Sequence, residues 1–122
     1  MSPATEADLE TALASVGITW QYGYYGSGPG DATDTTPMPR LLYRFKLTPD
    51  VTYADGGEVV QRNARYDVEL EEEYKDFDLE ARVGDALTAA GIGWDRYEYA
   101  QDGATEGSHW LQVIWEATVT ED

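Results

Sequence analysis

The sequence contains no cysteine, and its 122 residues include a single histidine, His109. The absence of cysteine excludes disulfide bonds, thiol nucleophiles and thiolate metal sites. With one histidine, metal sites and acid–base chemistry built on imidazole are also restricted. We therefore expect neither a metal site nor a bound cofactor.

Basic residues are scarce. The chain has 8 lysines and arginines against 24 aspartates and glutamates, which gives a formal net charge of −16. A net charge of this sign and size opposes binding to the phosphate backbone of a polyanion. We expect no specific binding to nucleic acid.

Long apolar runs are missing as well. No stretch approaches the roughly 20 apolar residues that a membrane-spanning helix needs. The first residues are acidic, whereas a secretion signal begins with basic residues and continues with apolar ones. The sequence therefore predicts a soluble protein that is made in the cytoplasm and has no membrane contact.

Two segments have apolar residues at helical spacing. In the first, Thr5 and Asp8 form a capping pair, and the helix is expected to end at Gly17. In the second, either Asp76 or Asp78 can accept hydrogen bonds from the free amides at the helix start. The predicted apolar stripes are Leu9, Ala12, Leu13 and Val16 in the first helix, and Leu79, Val83, Ala86, Leu87 and Ala90 in the second.

Alternation of apolar and polar residues predicts the strands. In the strand that begins near Val59, one face is expected to join the core and consists of Val60, Ala64, Tyr66, Val68 and Leu70. The charged residues between them form the other face, which is expected to be exposed to solvent. Residues Leu41 to Leu47 alternate in the same way, and this strand is expected to pair with the previous one through a turn at Asp55-Gly56-Gly57. Further strands are predicted for Ile18 to Tyr25, Trp94 to Tyr99 and Trp110 to Val119.

The remaining segments are predicted turns and loops. Residues 26–39 are rich in glycine and proline and are expected to form a mobile loop, either a solvated connector or a segment that orders on a partner. Residues 101–108 are expected to form a turn. The element order is therefore αβββαββ, which favours one α+β domain over residues 1–122, with two helices packed on one face of a mostly antiparallel sheet.

A dense acidic run joins the third strand to the second helix. Eight acids and one base lie between Asp67 and Glu80. The run lacks the spacing and central glycine of a calcium-binding loop, so we expect a solvated acidic corner. No serine or cysteine motif accompanies His109, and no nucleophile has a base placed to activate it. We do not expect an enzyme.

Several short motifs of the chain resemble those of small phage proteins of the tail-terminator or tail-completion type, from long-tailed phages and prophages of Gram-positive bacteria. The motifs lie at predicted turns, strands and helix ends and contain no catalytic signature. In chain order they are Tyr53-Ala54-Asp55, Tyr66-Asp67-Val68-Glu69-Leu70, Lys75-Asp76, Gly91-Ile92-Gly93-Trp94 and Gln112-Val113-Ile114-Trp115-Glu116. The chain departs from the family pattern at Glu71-Glu72-Glu73 and in a longer turn over residues 100–108.

The resemblance implies a structural subunit of a phage virion. Such proteins form a ring, commonly a hexamer, at the head-proximal end of the tail tube, where they stop tail growth and join the tail to the head. The expected partners are further copies of the chain, the tail tube protein and a head-completion or neck protein. The expected location is the virion tail, after assembly in the host cytoplasm.

Two other functions fit the same residues. One is another head–tail connector subunit, which these motifs do not separate from a terminator. The other is a small acidic inhibitor whose carboxylates imitate a nucleic-acid backbone and occupy a nucleic-acid-binding enzyme. A mimic needs a long stripe of one sign, whereas here basic residues lie just upstream of the acidic run. This placement favours assembly.

The charge pattern also suggests where copies would meet. A ring built head to tail needs two different patches. The predicted interface joins the bases Arg40, Arg44, Lys46 and Arg65 of one copy to the acids Asp67, Glu69 and Glu71 of the next, with Trp110 as an exposed aromatic because it faces away from Trp115. The alternative is that these bases and acids neutralise each other across one hairpin of a single subunit.

Overall fold

Among the residues that the structure describes, two helices and five strands follow one another in the order αβββαββ, which confirms the predicted α+β class. The computed structural model describes residues 4–26, 36–53, 59–102 and 109–121. The elements are α1 (Glu6–Val16), β1 (Trp20–Tyr22), β2 (Arg40–Tyr53), β3 (Val59–Glu72), α2 (Phe77–Ala89), β4 (Gly93–Asp102) and β5 (His109–Glu121).

Both helices begin with the caps that their sequences indicate. The Thr5 hydroxyl accepts a hydrogen bond from the Asp8 amide, and the Asp8 carboxylate accepts one from the Thr5 amide at 2.8 Å, which completes a capping box. At α2 the choice between two aspartates falls on Asp76, whose Oδ1 accepts a hydrogen bond from the Leu79 amide at 3.0 Å. After α1, Gly17 has a φ of 91°, a left-handed conformation that favours glycine.

The five strands form one sheet in the order β1-β2-β3-β5-β4. Strand β1 is parallel to β2, and the other three neighbouring pairs are antiparallel. The predicted pairing of β2 with β3 is confirmed, with Leu41 opposite Leu70. Strands β1 and β4 are the two edges of the sheet, so each has a strand neighbour on one side only within the described residues.

The core lies between the two helices and one face of the sheet. Trp115 of β5 is fully buried at its centre. Gly84 lets α2 approach the neighbouring Trp94 ring, because a Cβ there would lie only 3.2 Å from that ring, whereas its 3.5 Å distance from Trp115 Nε1 would be an ordinary contact. The apolar residues that the helices and the sheet contribute include Leu9, Leu13, Leu79, Val83, Leu87, Leu41, Tyr43, Tyr66, Val68, Leu70, Val113 and Ala117.

Some predicted boundaries differ from the structure. The strand predicted for Ile18 to Tyr25 is limited to Trp20–Tyr22, because a glycine with positive φ, Gly23, follows it. Strand β2 continues past Leu47 to Tyr53, and β4 continues through Asp102 into the predicted turn. The turn at residues 55–57 and most of the predicted loop, residues 27–35, lie outside the described residues.

Neither of the described helices is long and apolar enough to cross a bilayer.

The Asp76 cap is a testable contribution to stability. Replacement of Asp76 by alanine removes the acceptor for the Leu79 amide and is expected to lower the free energy of unfolding by about 1 kcal/mol. Asp78→Ala is the matched control, because Asp78 lies inside the first turn and contributes only a charge near the helix dipole, worth at most about half as much. Urea unfolding measures both. Equal losses in the two variants would contradict the assignment of the cap.

Candidate functional site

The face of the sheet opposite the helices carries the residues predicted as an interface. Strand alternation places the even-numbered residues 40–46 of β2, the odd-numbered residues 65–71 of β3 and the even-numbered residues 110–116 of β5 on this side. We call it the open face. Neither helix packs against it, and its charged side chains form ion pairs with one another.

At one end of the open face, Arg40 is buried. Its Nε donates to Glu71 Oε1 at 2.5 Å, and its Nη1 donates to the Thr36 carbonyl at 2.8 Å. The guanidinium carbon lies 4.4 Å from the centre of the Tyr25 ring, and the Tyr25 hydroxyl donates to the Leu41 carbonyl at 2.6 Å. Arg40 is therefore paired by charge and packed against an aromatic ring within the subunit.

In the middle of the open face, Arg44 bridges two acids of β3. Its Nη2 lies 2.7 Å from Glu69 Oε1 and 3.8 Å from Asp67 Oδ2. The second oxygen of Glu69 accepts a hydrogen bond from Gln112 Nε2 at 2.8 Å, and the Tyr24 ring lies 4.2 Å from the Arg44 guanidinium carbon. Glu69 is fully buried, so it depends on both donors.

At the other end the pairs reach solvent and extend to β5. Lys46 Nζ lies 2.7 Å from Glu116 Oε2 and 3.5 Å from Asp67 Oδ1. Arg65 Nη1 lies 3.9 Å from Glu116 Oε1. Glu116 was not among the predicted site residues, because its closeness to Asp67 depends on the pairing of β3 with β5, which are separated by a helix and another strand.

These residues form two neighbouring groups of ion pairs, which we together call the charge ladder. One is the Arg40–Glu71 pair, and the other joins Arg44, Lys46, Arg65, Asp67, Glu69 and Glu116. It contains four bases and four acids, so its formal charges cancel. The alternative of neutralisation across the β2–β3 hairpin is therefore what the structure contains. The prediction that this face of β3 is exposed to solvent is wrong for Glu69 and Glu71, which are buried, and their pairing with Arg44 and Arg40 offsets the cost of burying their charges.

The charge ladder raises the pKa of two of its bases, Arg44 and Lys46. Burial lowers the pKa of Arg44, but the hydrogen bond to Glu69 and the nearby carboxylates outweigh burial and raise it. The hydrogen bond to Glu116 raises the pKa of Lys46. Both bases therefore stay charged across the physiological pH range.

Trp110 is on the open face, as its alternation with Trp115 predicts, but the prediction that it is exposed is wrong. Its accessible fraction is 6%. The residues beside it on this end of the face, including Glu71 and Gln112, are buried too, so the face is enclosed there and does not offer a bare aromatic. Trp110 adds to the packing of the subunit.

The most exposed aromatic side chains are Tyr74 (79%) and Phe77 (74%), at the corner between β3 and α2. Four others lie at or near the two edges of the sheet. On β4, the exposed fractions are 45% for Tyr97 and 51% for Tyr99. Near the opposite edge, they are 57% for Tyr22 and 40% for Phe45. Sequence reasoning missed these four residues, although strand alternation at two sheet edges would have indicated them once the strand order was known.

The acidic corner is less solvated than predicted. Glu72 and Glu80 are both buried on the helix side of the sheet. Lys75 and Arg96 both bind Glu80 Oε1, whereas neither carboxylate oxygen of Glu72 forms a hydrogen bond with the described part of the chain. Burial raises the pKa of Glu72 to about 8, and the neighbouring carboxyl of Glu80 adds to this by its charge and by sharing a proton, against the weaker opposing effects of Lys75 and the Asp76 amide. The direction of this shift favours the protonated form of Glu72, which can donate a hydrogen bond to Glu80.

Among the described residues, no group of three histidine, cysteine or acidic side chains is arranged to hold a metal ion. Comparison with models of known protein families gives no match. Comparison with curated protein sequences gives no significant match either. The interpretation of the site therefore depends on the geometry described above.

The buried end of the ladder is expected to matter more for stability than the exposed end. Arg40→Met keeps an apolar stem but takes the base away from the buried carboxylate of Glu71, which is expected to cost about 3–5 kcal/mol. Lys46→Met is the matched control at the exposed end and is expected to cost at most about 1 kcal/mol. Urea unfolding followed by tryptophan fluorescence measures both variants. A similar loss in each would contradict this gradient along the ladder.

The Glu72–Glu80 pair is expected to make stability fall as the pH rises. The pKa of Glu72 rises from 4.5 to about 8 on folding, so between these values only the folded protein holds this proton. The stabilisation is complete below pH 4.5 and is lost up to about pH 8, by at most about 1.4 kcal/mol per pH unit.

Glu72→Gln tests this dependence, because a neutral amide can donate to Glu80 without titrating. The variant is expected to lack this part of the pH slope and to be more stable than the unsubstituted protein near pH 8. Glu73→Gln is the matched control, since Glu73 is exposed. The free energy of unfolding of both variants is measured from pH 5 to pH 8. The same pH dependence in both variants would exclude a proton shared between Glu72 and Glu80.

Proposed function

We propose that the protein is a phage assembly subunit of the tail-terminator type. In this proposal, copies form a ring at the head-proximal end of the tail tube, stop its growth and provide the surface that joins the head. The observation that carries the proposal is the presence of two different exposed aromatic patches at opposite edges of one sheet, with Tyr97 and Tyr99 on one and Tyr22 and Phe45 on the other.

Two unlike patches are what a ring requires. An isologous dimer uses one patch twice, whereas a ring joins one surface of each subunit to a different surface of the next. Exposed tyrosines are common in protein interfaces, because they bury a large area with little loss of side-chain entropy. The two patches lie across the full width of the sheet, so a subunit can contact one neighbour on each side.

The motifs that resemble the terminator family occupy structural positions. Tyr66, Val68 and Leu70 are core residues of β3, Asp76 caps α2, and Ile92 is buried at the corner between α2 and β4. These positions support a resemblance in fold. They carry no chemistry, which agrees with a role in assembly.

The charge ladder weighs against the nucleic-acid mimic. A mimic presents unpaired acids in a regular stripe, whereas the acids of β3 on the open face are paired with bases of the same subunit. The exposed negative charge is therefore located elsewhere on the molecule. Another head–tail connector subunit remains the alternative within the same class.

Electron microscopy of particles made by the encoding phage or prophage, with this gene deleted, tests the function. We expect full capsids without tails beside tail tubes of abnormal and unregulated length, and a plasmid copy of the gene should restore normal virions. Normal virions from the deletion strain would contradict the proposal and favour the acidic-inhibitor hypothesis. Tubes of normal length that fail to join capsids would identify another connector subunit instead.

A further inference from the structure

Strand β4 has a regular edge with no strand on its outer side among the described residues. Its 10 residues, Gly93–Asp102, pair with β5 without a bulge or register shift. It contains no proline, and residues 93–100 are all exposed. Such an edge presents a row of outward amide and carbonyl groups to which another strand can bind, and proteins usually block a long edge of this kind.

The opposite edge has a different character. Strand β1 has three residues and covers β2 only at Leu41 to Tyr43. Just beyond β1, the Tyr22 hydroxyl lies 3.4 Å from the Phe45 amide and takes up the next outward donor of β2. Strand β1 and the start of β2 therefore form a short edge to which another strand can bind, and Tyr22 is exposed there.

The strand directions make the two edges compatible. Strand β1 runs parallel to β2, and β3, β5 and β4 then alternate, so β4 runs antiparallel to β1. A second copy rotated about an axis parallel to the strands keeps its own direction. Its β1 therefore meets β4 of the first copy as an antiparallel neighbour, with the helices of both copies on the same side of the sheet.

The registers also specify which residues meet. Trp20 lies opposite Leu41, Leu41 opposite Leu70, Leu70 opposite Val113, and Val113 opposite Glu98. A copy placed alongside without a shift along the strands therefore brings Trp20 to the level of Glu98.

The same alignment places the neighbouring residues in compatible pairs. Gln21 comes to the level of Tyr97 on the open side, and Tyr22 comes to the level of Arg96 on the helix side. A guanidinium next to a tyrosine ring is a favourable contact.

Charge adds little to this match. The bases of β2 are paired with acids of the ladder, and Glu98 of β4 is paired with Lys75 and Arg96. The match between the two edges therefore rests on strand direction and register.

We propose that the outer edge of β4 in one copy pairs antiparallel with the β1–β2 edge of the next copy, so that the sheet continues from subunit to subunit. This inference rests on the proposed ring and identifies the surfaces that close it. The occupant of the β4 edge is a second copy of this chain.

Cysteine cross-linking tests the pairing, because the chain has no cysteine of its own. Thr19→Cys lies directly before β1, and Ala100→Cys lies on β4 within two residues of the level that Trp20 reaches. Both residues are exposed, and both substitutions keep a small side chain. Four strand spacings, about 19 Å, separate the two edges within one chain, so a shorter bis-maleimide cannot link them internally.

The full-length variants are cross-linked at high concentration, singly and as an equimolar mixture. The mixture is expected to shift from the monomer mass to twice that mass, whereas each variant alone stays monomeric, because each cysteine then faces an unsubstituted edge. A variant that carries both cysteines is expected to give a series of higher multiples. Thr11→Cys mixed with Ala14→Cys is the matched control, since both residues are exposed on α1.

Three results would overturn the inference. Dimers of Ala100→Cys alone would mean that two β4 edges pair with each other. Equal cross-linking of the α1 control would mean random collision, and no cross-link in the mixture would mean that these edges do not meet. None of these results depends on the phenotype of the deletion strain. The proposed pairing of the edges can therefore be disproved while the terminator function is upheld, and the terminator function can be disproved while the pairing is upheld.

Discussion

Two short helices can cover only one face of a five-stranded sheet, and the rest of the structure follows from this constraint. The covered face is apolar and closes around Trp115. The other face is not covered by a helix, and although part of it is buried, it carries bases and acids that neutralise one another along the strands. Buried ion pairs of this kind add little net stability, because desolvation offsets their attraction, but a mismatched register would leave charges unpaired. The charge ladder therefore favours one alignment of β2, β3 and β5.

The same constraint determines which surfaces can bind a partner. The open face satisfies its own charges within the subunit, so it offers few groups to a neighbour. The edges are different, because their backbone groups and tyrosines have no strand on the outer side among the described residues. Contacts between copies are therefore expected at the edges of the sheet, and a chain of edge contacts leads naturally to a ring or a filament. For a tail terminator, a closed ring is the form that ends growth.

The sequence was informative where structure is local. The Thr5 cap and the core alternation of Tyr66 to Leu70 were predicted correctly, and the cap of α2 was limited to Asp76 or Asp78, because caps and strand faces depend on neighbouring residues. The environment of distant residues was not predicted. Glu72 looked solvated, yet α2 folds back over it, and Trp110 looked exposed, yet its end of the face is enclosed. The ladder partner Glu116 and the free edge of β4 depend on the strand order, which alternation alone does not specify.

Amide hydrogen exchange, measured on the free protein and on the protein bound to purified tail tubes, tests the central claim most directly. That claim is that copies assemble on the tail through the edges of their sheets. We expect the amides of β4 and of the segment around β1 to exchange more slowly after assembly, while the amides of β3 and β5, which have strands on both sides, exchange as in the free protein. Bound protein in which β4 exchanges at its free rate would contradict the account.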